Sequence, residues 1–165
     1  MRTYLALAIA CVSFQVASAA EAQPRERPRS SQAHQRSESA IKGLLKSYQQ
    51  ALNASDVEGV VQLYSDDAVV LAPGAPSAVG IDAVRAAYTG IFQAIDIDLT
   101  FDIAEVNVVL PNWAFLRSTS SGVVTIRANG AQTPSSNQEL FVLHKSQGRW
   151  KVARYGFSSV LPAPA

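Results

Sequence analysis

Apolar residues recur at steps of three and four from residue 41. Ile41, Leu44, Leu45, Tyr48 and Leu52 form one stripe, which predicts a helix from Ser39 to about Asn53. Ser55-Asp56-Val57-Glu58 then has the spacing of a capping box, in which the serine oxygen accepts from the helix backbone and the glutamate reaches back. Val57, Val60, Val61 and Tyr64 supply the buried stripe of a short second helix. Ala68 to Ala72 reads as a strand, stopped by Pro73-Gly74-Ala75-Pro76. A third helix is expected from Gly80-Ile81-Asp82, with Val84, Ala87, Tyr88, Ile91, Phe92 and Ile95 on one face.

Beyond Ile95 the period becomes two. Ile97, Leu99, Phe101 and Ile103 alternate with Asp98, Thr100, Asp102 and Ala104, after which the apolar positions switch parity to Val106, Val108 and Leu110. A β-bulge inside one long strand produces such a switch, and bulges bend sheets. Pro111-Asn112 marks a turn, and Trp113 to Arg127 the next strand or bulged pair. Asn129-Gly130 and Pro134-Ser135-Ser136 mark a loop. Leu140 to Lys145 and Trp150 to Ser158 form a hairpin around Gln147-Gly148. The order, ααβα and then four antiparallel strands, predicts an α+β cone in which three N-terminal helices pack on one face of a bent, mostly antiparallel sheet.

The ends of the chain read differently. Residues 1–20, with Arg2, the apolar run Leu5 to Val16 and Ala17-Ser18-Ala19, have the form of a secretory signal peptide, cleaved after Ala19 or Ala20, with Ala22 as a weaker option. A periplasmic or secreted protein is expected. The single cysteine, Cys11, leaves with that segment, which excludes disulfides, thiolate metal sites and cysteine nucleophiles from the mature protein. Residues 21–37 read as an Arg/Pro/Ser-rich disordered tether, because 24–37 hold no large apolar residue. Residues 38–160 form the one domain that this length supports, and 161–165 a frayed tail. From residue 38 onward nine Lys/Arg face eleven Asp/Glu, so nucleic acid is not an expected partner. After residue 20 no stretch has the eighteen or so apolar residues of a transmembrane segment.

Tyr48-Gln49-Gln50-Ala51-Leu52-Asn53-Ala54-Ser55-Asp56, Leu63-Tyr64-Ser65-Asp66-Asp67-Ala68, Val79-Gly80 and Gly148-Arg149-Trp150-Lys151-Val152-Ala153-Arg154-Tyr155 resemble landmarks of the nuclear-transport-factor-2-like superfamily, which has a cystatin-like fold. Within it, residues 39–159 are most similar to SnoaL-like proteins, some labelled SgcJ/EcaC-type oxidoreductases. The distant chemical reference is ketosteroid isomerase, in which an aspartate base works with a tyrosine and a protonated aspartic acid. The resemblance places its oxyanion-binding tyrosine on Tyr48 and two supporting tyrosines on Tyr64 and Tyr88. Its base falls on Ala72 and its second acid at or near Leu140, so neither carboxyl group is expected. Without a base within reach, proton transfer by that mechanism is not expected either.

What remains of the resemblance is a pocket that donates hydrogen bonds, with Tyr48, Tyr64 and Tyr88 as phenols and Ala72, Phe92, Leu140 and Phe157 as apolar walls. Tyrosines at helical spacing are equally explained as amphipathic core residues. His144 is the only histidine of the domain, which rules out a multi-histidine metal site and leaves a single general base at most. Arg117 and Arg154 bind an anion or pair across strands, and pairing is the commoner fate. No dinucleotide fingerprint, P-loop or nucleophile elbow occurs, so no cofactor is expected.

Three functions stay open. The leading one is a binder of a small apolar or aromatic molecule in the cone. The second is a SnoaL-type isomerase, cyclase or hydratase with Tyr48 as donor and His144 as base. The third is a homodimeric interaction module, joined through an expected outer face of Phe141, Leu143, Trp150 and Val152.

Overall fold

A computed structural model describes residues 27–160. The expected signal peptide, residues 21–26 of the expected tether and the tail 161–165 lie outside the described residues. Helix α1 spans Arg27–Asn53, α2 Val57–Val61 and α3 Ile81–Ala94. Strand β1 spans Tyr64–Leu71, β2 Ala78–Val79, β3 Ile95–Leu110, β4 Trp113–Ile126, β5 Gln132–Ser146 and β6 Arg149–Ser159. The six strands form one sheet in the order β2-β1-β6-β5-β4-β3, antiparallel except for the β1–β6 pair.

Local chemistry explains where the elements begin. Residues 27–37 are helical and continuous with the rest of α1, where a disordered tether was expected. Arg, Gln, Ala and Glu are good helix formers. Residues 31–36 are exposed, and packing begins at Ser37 and Ile41. The cap of α2 is Asp56, whose carboxylate accepts from the Gly59 N–H at 2.9 Å, in place of the expected Ser55. Ser55 sits in the preceding turn with φ of 53°, and Glu58 pairs with Arg85 on α3 rather than reaching back. Tyr64, expected on the helix stripe, opens β1. Strand β2 was not expected; it pairs with β1 at Val69–Val79.

The parity switch in β3 is a bulge, with the register shifting between Ile103 and Glu105. On the inner side of the sheet, α1 crosses β3 and β6 while α3 lies over β1 and β3. Ile41, Leu45, Tyr48, Val60, Val84, Leu116, Phe141, Leu143 and Val152 fill the layer between them. The open edge of β3 is closed by α1. The Asn53 amide donates to the Leu99 carbonyl at 2.9 Å and accepts from the Leu99 N–H at 3.1 Å, and the Gln49 side chain accepts from the Phe101 N–H at 3.0 Å. These bonds satisfy edge groups that would otherwise invite another strand. On the other side of β3, Gly122 of β4 faces Leu99 so closely that a Cβ would collide with the Asp98 carbonyl.

Candidate active site

The helices and the sheet bring four phenols together. Tyr48 comes from α1, Tyr64 from the start of β1, Tyr88 from α3 and Tyr155 from β6, and all four are buried. The Tyr88 hydroxyl lies 2.8 Å from that of Tyr48 and 2.8 Å from that of Tyr64, so the three oxygens form a chain with Tyr88 in the middle. Burial, reinforced by the neighbouring phenols, holds Tyr48 well above the usual tyrosine range. Burial likewise raises Tyr88, to about 12, although its bonds to Tyr48 and Tyr64 pull the other way. These groups are therefore neutral phenols at physiological pH.

Beside the chain lies a cavity of about 650 Å³. Its walls are mostly apolar, including Ala87 and Ile91 of α3, Ile97 and Phe101 of β3, and Val124 of β4. Tyr48, Tyr88 and Tyr155 supply phenols, and Asn137 and Glu139 of β5 add the other main polar groups. Glu139 is only 5% exposed. One of its carboxylate oxygens accepts from the Ser118 hydroxyl at 2.8 Å and the other from the Ser120 hydroxyl at 2.7 Å. Asn137 in turn donates to Ser120 Oγ at 3.2 Å. Burial raises the pKa of Glu139, and the two serine hydroxyls offset part of that rise. Glu139 also acts electrostatically on Tyr88 and Tyr155, which raises both phenols. Among the described residues no Lys, Arg or His lines the cavity.

The expected site residues divide. Tyr48, Ala72, Tyr88 and Phe157 line the cavity. Tyr64 reaches it only through Tyr88, and Phe92 packs its ring against Tyr88 at 5.8 Å without joining the lining. Leu140 is corrected: it points to the opposite side of the sheet and is 46% exposed. The inward residue is its neighbour, Glu139, so a carboxyl group does enter the cone where none was expected. The expected dimer face is corrected for the same reason. Phe141, Leu143, Trp150 and Val152 share the inward side and are buried in the core. His144 alternates with these residues, stacks on Trp113 at 4.4 Å and is absent from the cavity lining. Arg117 pairs with Glu105 at 3.1 Å and Arg154 with Asp67 at 3.7 Å. Among the described residues no cluster of three or more His, Cys, Asp or Glu could hold a metal, and no helix is long and apolar enough to cross a membrane.

An α+β cone with its helices on one side of a six-stranded sheet and a polar cluster inside the mouth defines a nuclear-transport-factor-2-like protein. Residues 45–153 match the SnoaL-like domain, and the chain belongs to that family. Its structure is similar to a ketosteroid isomerase-like protein from Erwinia carotovora atroseptica, at 38% identity over 75% of this chain and 96% of that one, with a TM-score of 0.72. It is also similar in fold to a cystatin-like domain of unknown function from Nostoc punctiforme, at 18% identity over 76% and 78% of the two chains, TM-score 0.63. A hexachlorocyclohexane dehydrochlorinase shares the fold at 10% identity over 79% and 90%, TM-score 0.71. No curated protein matches the sequence.

Proposed function

We propose that the cone binds a small, largely apolar molecule bearing a carbonyl oxygen and moves a proton on it, as an isomerase does. The observation that carries this reading is Glu139, a carboxyl group buried in the same cavity as the Tyr48 hydroxyl. The base position at Ala72 remains empty of a carboxylate, and Glu139 provides one from a different strand. In the ionised form it takes a proton from the carbon next to the carbonyl. The C–H electrons form a carbon–carbon double bond, and the carbonyl electrons move onto oxygen. Tyr48 donates to that oxygen and is itself polarised by Tyr88 and Tyr64 behind it. In a β,γ-unsaturated ketone the resulting anion is a dienolate; Glu139 returns the proton to its γ carbon, the electrons on oxygen re-form the carbonyl, and the double bond has moved into conjugation without any co-reactant. An oxygen-bearing apolar ligand also suits the walls, since no cation is present to attract an anion.

The test is conversion of 3-cyclohexen-1-one to its conjugated isomer, followed by ultraviolet absorbance. Turnover is expected in the natural protein and is expected to fall about a hundredfold in Tyr48→Phe, the cost of one donor to a developing oxyanion. Equal rates in the two proteins would overturn the role of Tyr48.

We also propose export and self-association. Export rests on the apolar run from Leu5 to Val16. Self-association rests on the outer side of the sheet, where Leu71 is 50% and Leu140 46% exposed on either side of Gly156. Native mass spectrometry of the protein recovered from the periplasm reads both. A mass lacking residues 1–19 or 1–20 and a dimer that Leu140→Glu converts to monomer are expected.

A further inference from the structure

A second groove, of about 920 Å³, lies between the first half of α1 and the tips of the β3–β4 and β5–β6 hairpins. Its inner wall is apolar, with Leu44 and Trp150 buried and Leu63 and Val108 half-buried. Val109 and Leu110 extend this surface outward, 60% and 55% exposed. Arg36, Lys145 and Arg149 line the same groove together with His34, and among the described residues no Asp or Glu does. The domain carries more acids than bases, so this clustering is not a reflection of its overall charge. Among the described residues none of the three cations is in an ion pair, although Lys145 Nζ stands 5.7 Å from the centre of the Trp150 ring. The Trp150 indole N–H is buried without a hydrogen-bond partner among the described residues, whereas buried indoles ordinarily donate.

We propose that this groove binds a free single-chain amphiphilic anion, its chain lying along Leu44, Val108 and Leu110 and its acidic head held among Arg36, Lys145 and Arg149. A groove of this size falls within the range of small-molecule sites. Unpaired cations beside apolar surface suit a ligand that carries both an acid and a hydrocarbon chain. The cone offers such an anion the opposite environment, with Glu139 as the charge in its lining and no cation. The groove is therefore a separate site, and its test is independent of the isomerase reading.

In a Trp113→Phe background Trp150 is the sole tryptophan, so its fluorescence reports the groove. Titration with dodecanoate below its micellar concentration is expected to give a saturable emission change that weakens as salt is added. Affinity is expected to fall at least tenfold in Lys145→Glu/Arg149→Glu and severalfold in Leu110→Asn, each checked for an unchanged circular dichroism spectrum. Dodecyl maltoside, with the same chain and no charge, is expected to bind at least tenfold more weakly. Equal binding of the neutral detergent, or dodecanoate binding unaltered by the charge reversals, overturns the proposal. A response to phosphatidylglycerol vesicles without one to free dodecanoate also overturns it, in favour of a bilayer surface.

Discussion

Glu139→Gln is expected to lower turnover of the unsaturated ketone by about 10²–10⁴-fold, the usual contribution of a positioned general base. The amide keeps the volume of the side chain and retains a carbonyl oxygen for a serine hydroxyl, so the cavity keeps its shape. The natural protein is expected to gain activity as pH rises through the pKa of Glu139, with a midpoint above the ordinary glutamate value of about 4.3. The same group sets a pH dependence of stability with the opposite sense. Its folded-state pKa lies above the unfolded one, so the fold holds this proton more tightly than the unfolded chain does. That contribution is fully present below the unfolded pKa and is lost as pH rises through the folded one. Glutamine carries no such penalty. Thermal melts of the two proteins at several pH values are expected to diverge in favour of Glu139→Gln as pH rises above the ordinary glutamate range. A pH-independent rate, or full activity in Glu139→Gln, would remove Glu139 from the mechanism.

Phe141→Ala is expected to destabilise the fold by about 3–5 kcal/mol, in the range of buried phenylalanine truncations. Phe141 is 1% exposed, stacks on Tyr155 at 4.4 Å and meets the Tyr48 ring edge-on at 5.5 Å. Removing it leaves a cavity beneath two of the phenols, so activity should fall together with stability. Calorimetry is expected to record a Tm lower by roughly 10 °C or more. A residue on an exposed dimer face would behave differently: truncation would alter subunit association and leave the melting of a monomer nearly unchanged. Phe141→Ala with a native Tm would return β5 to the orientation first expected from its sequence.

That orientation marks where the sequence ceases to be legible. The helical stripes of α1 and α3 and the bulge in β3 are local patterns, and each could be read from its own residues. Leu140-Phe141-Val142-Leu143 is an unbroken apolar run, in which period two carries no information about which side faces inward. Pairing decides it: Phe141 lies opposite Tyr155 and Glu139 opposite Phe157, with a register shift between Val142 and Leu143. A slip of one residue exchanges every side chain between faces. The same slip hid Glu139, placed the second acid at or near Leu140 and put four core residues on the surface. One signal was available. Ser118 and Ser120 continue the parity of Ala114 and Leu116, and Asn137 and Glu139 that of Phe141 and Leu143. Two inward tracks that turn from apolar to polar at the same level mark a cavity lining. Tyr48, Tyr64 and Tyr88 were legible from the family resemblance, whereas Tyr155 and Glu139, each in a strand, had no such frame.

The hydroxyl chain can run in either of two directions. When Tyr64 donates to Tyr88 and Tyr88 to Tyr48, the last proton points into the cone and meets a ligand that accepts. A ligand that donates to Tyr48 would require both inner protons to turn round. An accepting ligand selects the first direction and a donating ligand the second. A carbonyl ligand of the proposed kind would thus order two hydroxyls behind Tyr48, the farther one on a tyrosine outside the cavity lining.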